Sequence, residues 1–449
     1  MFAAALAGCA VGPDFERPAA PSVSGYSREP QPELTTASNA RAGAAQRFVR
    51  GMDIPGKWWT LFHSRPLNAL IERALEANPS LQAAQATLRE AQEELYAGGG
   101  ALFPTVSASA SSTREKISGA SFGRTGQVPI LTLNSASVSV SYLLDIWGGS
   151  RRELESLAAQ ANFERFELEA TYLTLTSNVV TAAVQEASLR AQIAATQDII
   201  NIETQELTGL RRQFAVGAAA NTAVLAQAAA LAQARAQLPP LEKQLAQIRD
   251  QLTAYLGRLP SEEPSATFNL ASFELPATLP LSLPSKLVEQ RPDIRAAQAQ
   301  LHEASAQIGV ATANLLPQLT LSASYGSEAV GTLLSPGSSI WSLGAGLTQP
   351  IFEGGTLLHR RRAAVAAYDA AAAQYRNTVV TAFQSVADVL RALHTDANGL
   401  NAEAAAERAA ADSLAASRRQ FRNGSISYLS LLNAEQSYQQ ARINLIQAQ

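Results

Sequence analysis

The chain carries the same plan twice. Asn78-Pro79-Ser80 opens a helix-forming stretch that closes on Leu102-Phe103-Pro104, and Arg291-Pro292-Asp293 opens another that closes on Leu315-Leu316-Pro317, 213 residues later at both ends. Arg211-Arg212-Gln213-Phe214 with Gly217 returns as Arg418-Arg419-Gln420-Phe421 with Gly424, 207 residues on. Helix length is kept, and the difference falls mainly in a loop between Pro104 and Asp145. An internal duplication behaves this way, because packed elements hold their length while surface loops drift. The division that follows is residues 1–9 as a short leader, 10–50 as an extended strap rich in proline, 51–260 as the first repeat and 261–449 as the second, the repeats forming one intertwined domain.

Each repeat contains two segments of period two. Val106, Ala108 and Ala110 alternate with Thr105, Ser107 and Ser109, and Ala136, Val138, Val140 and Tyr142 alternate with Ser137, Ser139 and Ser141. In the second repeat Leu319, Leu321, Ala323 and Tyr325 alternate with Thr320, Ser322 and Ser324, and Trp341, Leu343, Ala345 and Leu347 with Ser342, Gly344, Gly346 and Thr348. Strands of about ten residues with one apolar and one small polar face suit a barrel between lipid and water, although a soluble hairpin alternates too. Four strands cannot close such a barrel, and an open edge in lipid leaves backbone groups unpaired, so copies of the chain must associate. Small residues on the polar faces favour a wide, open lumen and hence three copies over two.

The remainder is helical. No proline interrupts Gly149–Val216, which predicts a helix of roughly 65 residues and ~100 Å. Its return partner carries Leu231, Leu238, Leu241, Leu245, Ile248, Leu252 and Tyr255 in a coiled-coil seam, with a kink expected at Pro239-Pro240. The fold class is therefore mainly α with a small β part: long antiparallel helical hairpins plus two β-hairpins. The helical stretch Ala409–Gln449 stops without a cap and reads as a trimmed tail.

Composition removes several function classes. A net charge of -3 offers no basic surface for nucleic acid. No run of about 18 uncharged apolar residues supplies a membrane-spanning helix. His63, His302, His359 and His394 are scattered without metal-ligand spacing, no phosphate-binding glycine loop occurs, and no acid–base pair suggests an enzyme; no metal or cofactor is expected. The single cysteine, Cys9, follows Leu6, Ala7 and Gly8 in the manner of a bacterial lipobox, so a covalent lipid is expected there. No Lys or Arg precedes Arg17, which reads as a trimmed leader.

Four segments, within the duplicated architecture, carry a resemblance: Cys9-Ala10-Val11-Gly12-Pro13-Asp14-Phe15 through Arg17-Pro18, Trp58-Trp59-Thr60-Leu61-Phe62, Leu283-Pro284-Ser285 and Arg291-Pro292-Asp293-Ile294. Together they resemble the TolC-like outer membrane factor family, closest to its OprM-like and NodT-like lipoproteins. The resemblance implies a homotrimer in which four strands per protomer form one barrel and the helices a periplasmic tunnel. It also implies a periplasmic adaptor and an inner-membrane pump of the resistance-nodulation-division type, with passive export of small molecules. Service in type I protein secretion is the alternative, and a coiled-coil envelope scaffold a more distant one.

Phe421-Arg422-Asn423-Gly424 and Tyr428-Leu429-Ser430-Leu431-Leu432-Asn433 resemble the family's inner gate, which implies Arg422, Tyr428, Leu429 and Asn433 as gate residues, with Asn433 where relatives often carry an acid. Gly217 and Gly424, with Arg211 and Arg418, mark hairpin tips expected to meet the adaptor. Trp147 and Phe352 close the strand pairs. The arginines that follow, Arg151 and Arg152 in one repeat and Arg360, Arg361 and Arg362 in the other, suit lipid headgroups at the membrane interface or a plain solvated basic face. Arginines at a helix start also oppose the macrodipole.

Overall fold

The computed structural model describes residues 10–29, 31–116, 130–333 and 335–449. In chain order these form β1 (Arg47–Arg50), α1 (Arg65–Ala77), α2 (Pro79–Gly99), β2 (Thr105–Lys116), β3 (Ile130–Leu144), α3 (Gly149–Ala215), α4 (Asn221–Tyr255), β4 (Thr278–Leu281), α5 (Pro284–Gln290), α6 (Pro292–Ala313), β5 (Gln318–Val330), β6 (Ser339–Thr348), α7 (Thr356–Arg422) and α8 (Tyr428–Ala448). The fold is mainly α with a small β part. Two compact units divide it: Met1–Ala19 (described from Ala10), Ala86–Glu167 and Pro292–Thr378 make the first, and Ala20–Gln85, Leu168–Arg291 and Val379–Gln449 the second. Each takes segments from both repeats.

In the first unit β2, β3, β5 and β6 form one antiparallel sheet in that order, so the hairpins of the two repeats meet along β3 and β5. Val106, Val140, Ala323 and Leu343 stand opposite one another across all four strands, as do Ala108, Val138, Tyr325 and Trp341. Between them lies the row Ser107, Ser139, Ser324 and Ser342. Period two thus places apolar residues on one face and hydroxyls on the other. Hydroxyls pair across strands at 3.1 Å (Ser109 with Ser137), 2.8 Å (Ser111 with Ser135) and 2.8 Å (Ser324 with Ser342). On the apolar face Trp341 is 72% and Leu343 76% exposed, so no other described residue covers them. β2 and β6 are edge strands of the sheet.

Gly12 approaches α6 so closely that a Cβ on it would lie 2.5 Å from the Gly309 Cα, and its φ of +98° is itself a glycine conformation. Arg152, with its side chain 5% exposed, holds the same stretch: it donates to Asp14 at 2.6 Å, to Glu155 at 2.7 Å and to the Val11 carbonyl at 3.2 Å. Arg152 is therefore a strap anchor, not the free lipid-facing charge its position beside Arg151 suggested. The start of α3 is capped by Asp145, whose carboxylate accepts from the Ser150 and Arg151 amides at 3.0 Å each and from the Arg151 Nε at 3.1 Å. That acid offsets the opposition of the arginines to the helix dipole.

The second unit is held by packing around α1, whose Leu67, Leu70, Ile71 and Ala74 fall on one helical face and are fully buried with Trp59, Val179, Ala183, Leu252, Leu256 and Phe268. Asn78 caps α2 through Oδ1, which accepts from the Ser80 amide at 2.9 Å and the Leu81 amide at 3.2 Å, while its Nδ2 donates to the Tyr255 carbonyl at 2.9 Å. Glu186, wholly buried, receives Arg190 at 2.7 Å and Arg249 at 2.8 Å; Arg249 also binds Glu263. α4 continues as one helix through Pro239 and Pro240. The strap ends differently from expectation: Arg47–Arg50 form β1, which pairs in parallel with β4. Among the described residues no helix is long and apolar enough to cross a membrane.

Candidate functional site at the helical hairpin turns

The two long helices end in the same way. Gly217, with φ of +76°, donates its amide to the Phe214 carbonyl at 2.9 Å, and Ala218 donates to Gln213 at 2.8 Å. Gly424, with φ of +69°, donates to Phe421 at 2.9 Å, and Ser425 to Gln420 at 2.9 Å. Both are left-handed caps that satisfy the last helical carbonyls, and both reverse the chain into the next helix, α4 or α8. The Ser427 side chain then caps α8 by accepting from the Ser430 amide at 3.2 Å.

Between these reversals lies a polar cluster inside an otherwise apolar contact. Gln227 of α4 is completely buried; its Nε2 donates to Glu203, carboxylate and carbonyl both, and to Glu206 at 3.4 Å. Its Oε1 accepts the Tyr428 hydroxyl at 2.6 Å. Gln439 of α8 donates to the other oxygen of Glu203 at 2.7 Å, and Arg418 of α7 reaches Glu435 at 3.1 Å and Glu206 at 3.7 Å. Glu435 and Glu206 thus share one arginine, while Glu203, almost fully buried like Glu435, is held by the amides of Gln227 and Gln439. Burial pushes Glu206 up to about 8, and the neighbouring Glu435 and Glu203 add to the rise against the pull of Arg418. A hydrogen bond between the Glu206 and Glu435 carboxyl groups contributes to that rise. Burial and the same carboxylates raise the Tyr428 hydroxyl too, which keeps it a donor.

Of the residues singled out from sequence, Tyr428 is drawn inward, with its ring edge-on to Phe421 at 5.7 Å. Arg422, Leu429 and Asn433 are exposed, Leu429 at 58%. Arg418 turns away from the hairpin tip into the carboxyl cluster, whereas Arg211 is exposed near Gly217. Trp147 is half-buried and donates its indole N–H to the Pro317 carbonyl at 2.7 Å; Phe352 is 87% exposed. Arg151 pairs with Asp145, and Arg361 donates to the Thr312 hydroxyl at 3.3 Å. Cys9 lies outside the described residues. Glu203, Glu206, Gln227, Glu435 and Gln439 went unnoticed in the sequence, since acids and amides on three helices look like solvated faces until the helices are packed together.

The profile described as outer membrane efflux protein matches residues 70–258 and 283–449. The chain is 35% identical over 352 residues to the pyoverdine export outer membrane protein OpmQ of Pseudomonas aeruginosa, a match covering 76% of this chain and 72% of that one. It is 28% identical to nodulation protein T of Rhizobium leguminosarum bv. viciae, over 99% and 88% of the two chains. The solved structure of the outer-membrane channel OprN superposes with a TM-score of 0.86 at 26% identity, covering 98% of this chain and 95% of that one. Doubled hairpins, a shared four-stranded sheet and a sequence match through both repeats lead to one assignment: the chain belongs to the outer membrane efflux protein family, whose members are outer-membrane channels and not enzymes.

Proposed function

We propose that this chain is the exit duct of a tripartite efflux system, assembled as a homotrimer whose sheets close into one barrel. The observation that carries this reading is the sheet itself: an exposed apolar face, a hydroxyl-lined face opposite, and edge strands on both sides. Such a sheet is stable in lipid only when its edges are paired, and copies of itself are the natural partners. Trp147, Phe352, Arg151 and Arg361 sit at the membrane interface in this assembly, and Cys9 carries a covalent lipid. The hairpin reversals at Gly217 and Gly424, with Arg211, meet a periplasmic adaptor, which couples the duct to an inner-membrane pump of the resistance-nodulation-division type. Arg422, Leu429 and Asn433 face the aperture, and Tyr428 with Arg418 holds the hairpins that carry them. Similarity to pyoverdine and toluene exporters supports small molecules as cargo.

Purification in mild detergent followed by mass measurement and planar-bilayer recording tests the proposal. A mass of three chains with ion conductance is the expected result; a monomer that conducts nothing would overturn it.

A further inference from the structure

In the first unit, α3, α6 and the strap form a cleft of about 180 Å³, open to solvent and lined by Arg17, Arg165 and Arg295. Asn162, Gln298 and His302 complete its polar lining, and among the described residues no carboxylate lines it. Glu155, which binds the lining residue His302 at 2.8 Å, is also engaged by Arg152 at 2.7 Å. The guanidinium groups of Arg165 and Arg295 rest 4.6 Å and 4.1 Å from the centre of one buried ring, Phe166. That contact fixes their planes while leaving the N–H edges free; among the described residues none of the three arginines donates a hydrogen bond or forms an ion pair. Arg17 is drawn from the strap, and His302, stacked on Phe15 at 4.3 Å, keeps that strand of chain in place.

Three like charges converging on one concavity repel one another, and each added oxyanion contact offsets that repulsion through charge-assisted bonds suited to the guanidinium fork. We infer that this cleft binds a water-borne oxyanion of the phosphate class, which ties the strap to α3 and α6. Bilayer lipid is the less suitable source. Arg165 lies fifteen residues along α3 from Ser150, which is ~22 Å from the strand end, whereas a headgroup layer is only about 5 to 8 Å deep. The inference stands apart from the channel reading, since it concerns a site on the helices that a soluble ion can test.

The experiment titrates the full-length detergent-solubilised protein with inorganic phosphate, following 31P line broadening, thermal midpoint and amide exchange of residues 15–19. Saturable binding, a higher midpoint and slower exchange are expected for the wild type. Arg165→Gln and Arg295→Gln should each weaken binding about tenfold, and Arg73→Gln, on α1, should leave it unchanged. Absence of saturable phosphate binding in the wild type overturns the inference, as does equal weakening by Arg73→Gln. A parallel arm uses vesicles containing phosphatidylglycerol: Arg-dependent binding to vesicles without any response to phosphate would overturn the water-borne assignment. Arg295→Lys, which keeps the charge but loses the fork, should retain part of the affinity and so separates oxyanion binding from loss of packing on Phe166.

Discussion

The Tyr428 hydroxyl donates to Gln227 at 2.6 Å, and through this one bond the first residue of α8 is fastened to a fully buried amide of α4. Removing the hydroxyl leaves the Gln227 oxygen buried without a donor, at a cost of about 1 to 3 kcal/mol. Tyr428→Phe should therefore speed amide exchange across Tyr428–Glu435 and raise spontaneous conductance. Unchanged exchange in the variant would show that the bond does not hold the hairpin.

The carboxyl cluster makes this contact pH-dependent. Glu206 has its folded value raised to about 8 from an ordinary 4.5, so the folded state holds a proton that the unfolded chain releases. Stability contributed at this contact is full below the ordinary carboxylate range and is lost as pH rises toward and through 8. Exchange in α8 should accelerate between pH 5 and about 8.5, and Glu206→Gln, which keeps a neutral side chain throughout, should flatten the profile. A wild-type profile that is flat over this range would contradict the shared proton.

In the proposed gate, Arg422, Leu429 and Asn433 stand exposed. The double variant Arg422→Ala and Leu429→Ala should form trimers with raised single-channel conductance and make cells leaky to large antibiotics. Asn433→Asp should lower spontaneous opening, because a carboxylate accepts from Arg422 more strongly than an amide does. Wild-type conductance in an assembled double variant would place the aperture elsewhere, with the Gly217 reversal next in line.

The two faces of the sheet should respond differently to charge. Leu343→Arg places a cation on the apolar face and should cost about 2 to 4 kcal/mol of barrel stability near the bilayer midplane, while Ser342→Arg should change conductance and spare assembly. Equal losses of heat-resistant oligomer from both variants would mean that the faces are wrongly assigned.

Glu186 offers a test of the second unit's interior. Its side chain is wholly buried between Arg190 and Arg249, so Glu186→Leu removes the acid that ties them together; Arg249 keeps Glu263 and Arg190 reaches solvent, so unfolding stability should fall by about 1 to 3 kcal/mol. Thermal melting of the oligomer checks this, and a midpoint within a degree of wild type would show the pair to be dispensable.

Much of this architecture was legible in the chain. Pro79 and Pro292 announce helix starts because proline is tolerated at the first helical turn, Gly217 and Gly424 mark reversals that need a positive φ, and period two alone sorts Leu343 from Ser342. What stayed hidden needed a partner from elsewhere. Arg47–Arg50 and Thr278–Leu281 are too short to signal strands until they lie side by side, and Arg152 looks like Arg151 until Asp14 arrives across 138 residues. Glu203 and Glu206 on α3 and Glu435 on α8 are ordinary acids in the sequence, and only the packing of those helices with α4 removes them from water.

The seam between β3 and β5 pairs Val138 with Tyr325, one from each repeat. Neither hairpin can complete the sheet until the second has been synthesised and exported, so the first travels with an unsatisfied edge and an apolar face for as long as delivery takes. The order of manufacture therefore matters as much as the finished form: truncation before β5 leaves the β3 edge without its partner and should yield material that aggregates and never reaches the membrane.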